Sequence, residues 1–168
     1  MADDRELLAR VAARDEAAFR RLYERYATRI FHYALTILRD RHLAEEVVQE
    51  TMVAVWEGAG TFRGTAQAST WIFGIARNQA HSLLRRESRG GRVPEEPGIL
   101  PDPAEAAERE VRVRSALGRL PPQQVEVVFL AFYEGLSYRE IARILGVPEG
   151  TVKSRMYHAK QALAEVLE

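Results

Sequence analysis

Cysteine is absent from the 168-residue chain. That excludes disulfides and any zinc site with cysteine ligands, and it fits a reducing compartment. No apolar run approaches the roughly 20 residues needed to span a bilayer. The charged N-terminus, MADDRELLARVAARDEAA, has no apolar core long enough for a signal peptide. A cytoplasmic protein without membrane insertion is expected. Also missing are a Gly-rich phosphate loop and a metal-ligand cluster, and the clustered carboxylates fall on an outer helix face. No catalytic residue, metal or cofactor is therefore expected, and an enzyme is disfavoured. Net charge is lacking as well, with 24 Lys and Arg against 24 Asp and Glu, which argues against a uniform DNA-coating protein.

The zero is a sum of separated patches. Residues 40–57 hold Asp40, Glu45, Glu46, Glu50 and Glu57 against Arg41 alone. Residues 61–86 hold Arg63, Arg77, Arg85 and Arg86 and no acid. Residues 139–160 hold Arg139, Arg143, Lys153, Arg155 and Lys160 against Glu140 and Glu149. Opposite signs in different segments suggest different partners for different faces.

Strand-like alternation is nearly absent and helical periodicity is everywhere. Asp3, three residues before Glu6, opens a first helix with a capping-box pattern. A long helix follows Asp15, with Phe19, Leu22, Tyr23, Tyr26, Ile30, Ala34, Ile37 and Leu38 at spacings of three and four. A third runs from about Arg41 to Glu57. GAGTFRGTAQAS reads as a loop, and a fourth helix runs from about Thr70 to Arg86. The stretch 88–103, SRGGRVPEEPGILPDP, has four prolines, three glycines and no period. It reads as a flexible linker, because a structureless loop this long is uncommon inside a compact fold. Fully extended, it spans at most about 55 Å. Helices are expected near 104–119 and 122–133 beyond it, giving an all-α chain of two small domains, 1–87 and 104–168.

The last segment, SYREIARILGVPEGTVKSRMYHAKQAL, is the most specific. Ser137 and Glu140 form a second capping-box pattern. Ile141, Ile144 and Leu145 make an apolar side, and Ala142 is small where a second helix could cross. Gly146 can end the helix in a left-handed conformation. Pro148 prevents continuation, and a new helix starts near Glu149. Two helices joined by a short glycine-containing turn describe a helix-turn-helix. At about 100° per residue, Val152, Met156, Ala159, Leu163 and Val166 face a core. Thr151, Lys153, Ser154, Tyr157, His158 and Gln161 face out, with Arg155 on the flank. Such a face can read base edges in a major groove, although an ordinary solvated helix face has a similar pattern.

Two N-terminal faces stand out. On the 41–57 wheel, Glu46, Gln49, Glu50 and Glu57 form an acidic outer arc with Val53 at its centre. This suits a protein-docking surface, and equally a solvated face with one stray valine. On the 70–86 wheel, Gly74, Arg77, Asn78, His81 and Arg85 face outward with Trp71 at the edge. Basic groups beside an aromatic, with Arg63 and a polar loop upstream, are a signal for single-stranded nucleic acid.

In this order, DRHLAEEVVQETMVAVWE, TFRGTAQASTWIFGIARNQAHSLLRR and LPPQQVEVVFLAFYEGLSYREIARILGVPEGTVKSRMYHAKQAL resemble a bacterial extracytoplasmic-function (ECF) sigma factor over nearly the whole chain. The resemblance implies region 2 in the first domain and region 4 in the second. It implies core RNA polymerase and promoter DNA as partners, duplex at the minus-35 element and melted at minus-10, together with an anti-sigma factor. Core polymerase would dock on Glu46, Gln49, Glu50 and Val53. The minus-10 strand would lie on Phe62, Arg63, Thr70, Trp71, Arg77, Asn78, His81 and Arg85. The minus-35 duplex would lie on Thr151, Lys153, Ser154, Arg155, Tyr157 and His158. A two-domain helix-turn-helix regulator is the alternative. It explains the C-terminal half and leaves the acidic face and the WIFGIARN helix unexplained.

Overall fold

Capping chemistry sets the helix boundaries in the computed structural model. The structure describes residues 3–90 and 115–167, and the elements among them are all helical. Helix α1, Asp4–Ala12, begins at Asp3, whose carboxylate accepts from the Glu6 amide at 2.8 Å. Asp15 caps α2, Glu16–Leu38, by accepting from the Ala17 and Ala18 amides. The Ala18 amide and then the Arg10 guanidinium hold the Asp15 carboxyl below its usual range. Arg39 ends α2 at φ 54°, and Asp40 caps α3, Arg41–Gly58, through the Leu43 amide at 3.1 Å. A short 3-10 turn, Ala59–Thr61, leads into the loop before α4, Ala68–Arg89.

Helix α4 is longer than its periodicity indicates. It starts two residues before Thr70, and Ser88 and Arg89 belong to its last turn rather than to the linker. The Gly90 amide bonds back to the Arg86 carbonyl at 3.2 Å. The rest of the expected linker lies outside the described residues. So does most of the helix expected near 104–119, of which 115–118 is described and helical.

In the C-terminal domain, α5, Pro122–Val128, passes into a π-helical turn over Phe129–Tyr133. The one helix expected over 122–133 therefore changes hydrogen-bond register midway. Helix α6, Tyr138–Leu145, carries the full capping box. The Ser137 hydroxyl accepts from the Glu140 amide, and the Glu140 carboxylate accepts from the Ser137 amide, both at 3.1 Å. Gly146, at φ 67°, ends α6, and α7 runs over Glu149–Leu167.

The N-terminal domain is built around α2, against which α1, α3 and α4 pack. Leu7, Leu22, Ile30, Val47, Val55, Ile72 and Phe73 fill its core, each worth about 1.5–3 kcal/mol of burial. In the C-terminal domain, Ile141, Val152, Met156 and Ala159 close the α5–α6–α7 core. Leu163 is partly buried against it, and the Val166 side chain lies outside the described residues.

The two domains touch, and their apolar cores are continuous. Tyr33 of α2 is fully buried between Phe73 of α4, 5.6 Å away edge-on, and Phe129 of the π turn at 6.0 Å. Helix α6 lies along α4, and α5 meets α2. Among the described residues no helix is long and apolar enough to cross a membrane.

Candidate functional site

The structure displays three separate faces. The first is the outer side of α3. Seven residues of this helix, Leu43 to Val55, are buried toward the core. That leaves Gln49 and Glu50 exposed and Val53 at 50% exposure. Glu46 is half-buried, 3.5 Å from the Arg86 guanidinium of α4. Val53 also lines an apolar groove of about 530 Å³ with Phe19, Tyr23 and Trp56, edged by Glu16 and Arg20. The Phe19 and Trp56 rings meet edge-on at 5.2 Å. Arg14 stacks over Trp56 at 5.0 Å and donates to the Trp56 carbonyl at 2.6 Å, fixing that wall.

Periodicity placed Tyr23 in the inner stripe of α2, but it is 40% exposed and belongs to this groove. The stripe of a 23-residue helix drifts around its axis, and only the C-terminal end of α2, Tyr33 to Leu38, is buried at every position. Trp56 escaped notice too. Its spacing of three from Val53 was the available signal, because residues at i and i+3 share a helix face.

The second face joins the 62–70 loop to α4. Phe62 packs edge-on against Trp71 at 5.5 Å, which props the loop from beneath. Gly64 takes φ 73°, and the Arg5 guanidinium of α1 donates to its carbonyl. Arg63, Asn78 and Arg85 are exposed. Thr70 is buried, with a hydroxyl that has no hydrogen-bond partner, so it supports the loop base and shows nothing to solvent.

Arg77 and His81 were expected to face outward, and the C-terminal domain covers them. Arg77 Nε lies 3.8 Å and His81 Nε2 3.5 Å from Oε1 of Glu126 on α5. The Tyr33 hydroxyl donates to the same oxygen. Burial first, and then the charge of Glu126, push the Tyr33 hydroxyl well above its ordinary range, so it stays a proton donor. None of this was visible on a single-helix wheel, because Glu126 is 45 residues from His81 and 93 from Tyr33.

The third face is the outer side of α7. Lys153, Ser154, Tyr157 and His158 are exposed, and Thr151 and Arg155 are half-buried on its flanks. Tyr157, 60% exposed, accepts from the Gln161 amide at 2.9 Å and meets the His158 ring edge-on at 5.6 Å. Val152, Met156 and Ala159 anchor the opposite side. The structure therefore gathers four hydrogen-bonding side chains on one convex helix face. It also exposes Phe132 of the π turn, at 66%, a residue the sequence reading did not single out.

Two family models match the chain. The model described as Sigma-70 region 2 matches residues 22–90, and the one described as Sigma-70, region 4 matches residues 110–163. Among curated relatives, the chain is similar to the ECF RNA polymerase sigma factor SigM of Mycobacterium tuberculosis. The two are 36% identical over 165 residues, covering 98% of this chain and 84% of the relative. SigL of the same species is 36% identical over 167 residues, covering 94% of this chain and 93% of the relative. Among solved structures, the sigma factor RpoE in complex with the anti-sigma factor NepR from Bartonella quintana superposes with a TM-score of 0.75 at 27% identity, over 89% of this chain and 96% of that one. CnrH in complex with the cytosolic domain of CnrY gives 0.73 at 28% identity, over 98% of this chain and 96% of that one.

Proposed function

The chain belongs to the ECF RNA polymerase sigma factors, and we propose that its three faces divide the work of transcription initiation among polymerase, melted strand and duplex. A sigma factor is a non-enzymatic subunit that directs transcription initiation, with region 4 binding DNA through its helix-turn-helix. The freestanding regulator considered from the sequence gives way to this membership.

Core polymerase docks on the outer face of α3. The observation that carries this is Val53, half exposed in the middle of Glu46, Gln49 and Glu50 and opening into the Phe19–Tyr23–Trp56 groove. An apolar centre inside a polar, acidic rim has the anatomy of a protein interface. It suits a helical partner carrying basic residues around an apolar anchor. The promoter minus-10 strand lies on Phe62, Arg63, Trp71, Arg77, Asn78, His81 and Arg85. Thr70 shapes the loop from inside, since its buried hydroxyl cannot reach a base. The minus-35 duplex lies on α7. An anti-sigma factor is a further partner, as it is for the RpoE relative named above.

The test is run-off transcription with purified core polymerase and the Val53→Asp variant. A charge at the centre of the docking face should lower affinity for core at least tenfold, the scale of a central interface residue, with helicity unchanged by circular dichroism. Assembly as tight as wild type moves the docking face elsewhere.

A further inference from the structure

The 62–70 loop, assigned above to the melted strand, is not held by its own backbone. Among the described residues, 63–66 make no backbone–backbone hydrogen bond. A segment without such bonds opens at little cost unless something else ties it down. Three side-chain contacts do so. The Phe62 ring rests on Trp71 at 5.5 Å. Arg143 of α6 donates to the Thr65 carbonyl at 3.0 Å. Arg5 of α1 donates to the Gly64 carbonyl. Of the two polar ties, only Arg5 belongs to the same domain as the loop.

Arg5 stands on a fixed base. Its neighbour Asp4 pairs with Arg25 of α2 at 2.5 Å and accepts from the Tyr26 hydroxyl. Leu7 and Leu8 then bury the same end of α1 in the core. Gly64 is fitted to the guanidinium in two ways. Its φ of 73° suits glycine. A Cβ at this position would lie 2.9 Å from Arg5 Nη2, so a side chain there would displace the guanidinium. Because 59 residues separate the two partners, no helical wheel could pair them.

We propose that Arg5 is a positioning residue for minus-10 recognition, setting the geometry of the loop through the Gly64 carbonyl without touching the strand. This role rests on the assignment of the loop and of Asn78 to that strand. Reading a base requires polar groups held to within a fraction of an ångström of their productive geometry. Phosphate contacts, such as exposed Arg63 and Arg85 can make, carry no sequence information. A loop released from Arg5 therefore loses the difference between the right base and a wrong one before it loses the strand. A direct contact between Arg5 and a phosphate has a different signature. It weakens every sequence alike and lowers the salt slope by about one unit.

The test uses holoenzyme carrying Arg5→Ala, Arg5→Lys or Asn78→Ala. Affinity is measured at two salt concentrations for promoters with each single minus-10 substitution. Each promoter is pre-melted by a mismatched bubble, so that strand recognition is read apart from melting. Arg5 is exposed, so its truncation leaves the buried core in place, and core-polymerase affinity and the thermal midpoint of the free chain should match wild type. Arg5→Ala should lower discrimination between preferred and substituted bases by about threefold to tenfold, the net worth of one hydrogen bond, with the salt slope unchanged. Arg5→Lys keeps a donor on a long side chain and should recover part of the discrimination. An unchanged preference in Arg5→Ala, with an altered one in Asn78→Ala, overturns the role of Arg5 and leaves the strand assignment standing. Uniform weakening with a lower salt slope makes Arg5 a phosphate contact and overturns the role as well. Unchanged preferences in both Arg5→Ala and Asn78→Ala remove the strand assignment and the role together.

Discussion

At the level of single residues, the face proposed for the minus-35 duplex gives the sharpest prediction. Ser154, Tyr157 and His158 oppose the buried Val152–Met156–Ala159 side of α7. Lys153 is exposed near the N-terminus of the helix, where, on the proposed reading, its long side chain would reach a guanine edge. Thr151 and Arg155 are half-buried at the flanks, where a groove-bound helix meets phosphates. A base-edge contact is worth about 1–3 kcal/mol of discrimination, whereas a phosphate contact weakens every sequence alike and lowers the salt slope by about one unit. Lys153→Ala and Ser154→Ala should therefore change which promoters are used. Arg155→Ala should weaken all promoters by a similar factor. Transcription from promoters with single minus-35 substitutions, at two salt concentrations, checks both. A change of preference in Arg155→Ala with none in the other two reverses the assignment of the faces. Most of this face was legible from periodicity alone, because a helix packed along one side hides and shows residues every 3.6 positions. Thr70 was not legible. Its polarity pointed outward, and its burial depends on how the 62–70 loop folds back onto the domain.

Helix boundaries were read well where a side chain marks them and poorly where none does. Asp3, Asp15 and Ser137 each sit one residue before a helix and accept from its amides, as their positions in the sequence indicate. Helix α4 has no side-chain cap at Gln67 and runs past the wheel's limits at both ends. The π turn at Phe129–Tyr133 has no sequence marker either. Two glycines in helical contexts now separate by backbone geometry. Gly146 ends α6 at φ 67°, which a side chain disfavours even though nothing lies within 4 Å of an added Cβ. Gly146→Ala should destabilise the C-terminal domain by about 1–2 kcal/mol, the cost of left-handed backbone for an L-residue. Gly74 lies within α4, also with nothing within 4 Å of an added Cβ. Gly74→Ala should stabilise by about 0.8–1 kcal/mol through helix propensity. Urea denaturation of the two variants should show midpoints moving in opposite directions. Equal shifts, or a stabilised Gly146→Ala, contradict the role given to the turn.

For the molecule as a whole, the sequence indicated two domains, and its periodicity could not show that they share a core. Wheels treat helices one at a time. The contacts that join the domains pair Tyr33 with Glu126 and Arg29 with Glu134, 93 and 105 residues apart. Tyr33 is the pivot of that shared core. It is fully buried, and its ring touches Phe73 of its own domain and Phe129 of the other. Truncating a large buried aromatic costs about 3–5 kcal/mol. Here the loss falls on both domains and on the contact between them, and it leaves Glu126 without its hydroxyl donor. Domains coupled through a common core unfold together, and domains that have lost it unfold separately. The wild-type chain should give one calorimetric transition, with calorimetric and van't Hoff enthalpies equal. Tyr33→Ala should give two, the one belonging to the C-terminal domain matching that of the domain expressed alone. Tyr33→Phe keeps both ring contacts and loses only the hydroxyl bond to Glu126, so it should retain the single transition at a lower midpoint. Two transitions in the wild type would mean that Tyr33 and Phe129 touch without coupling the domains.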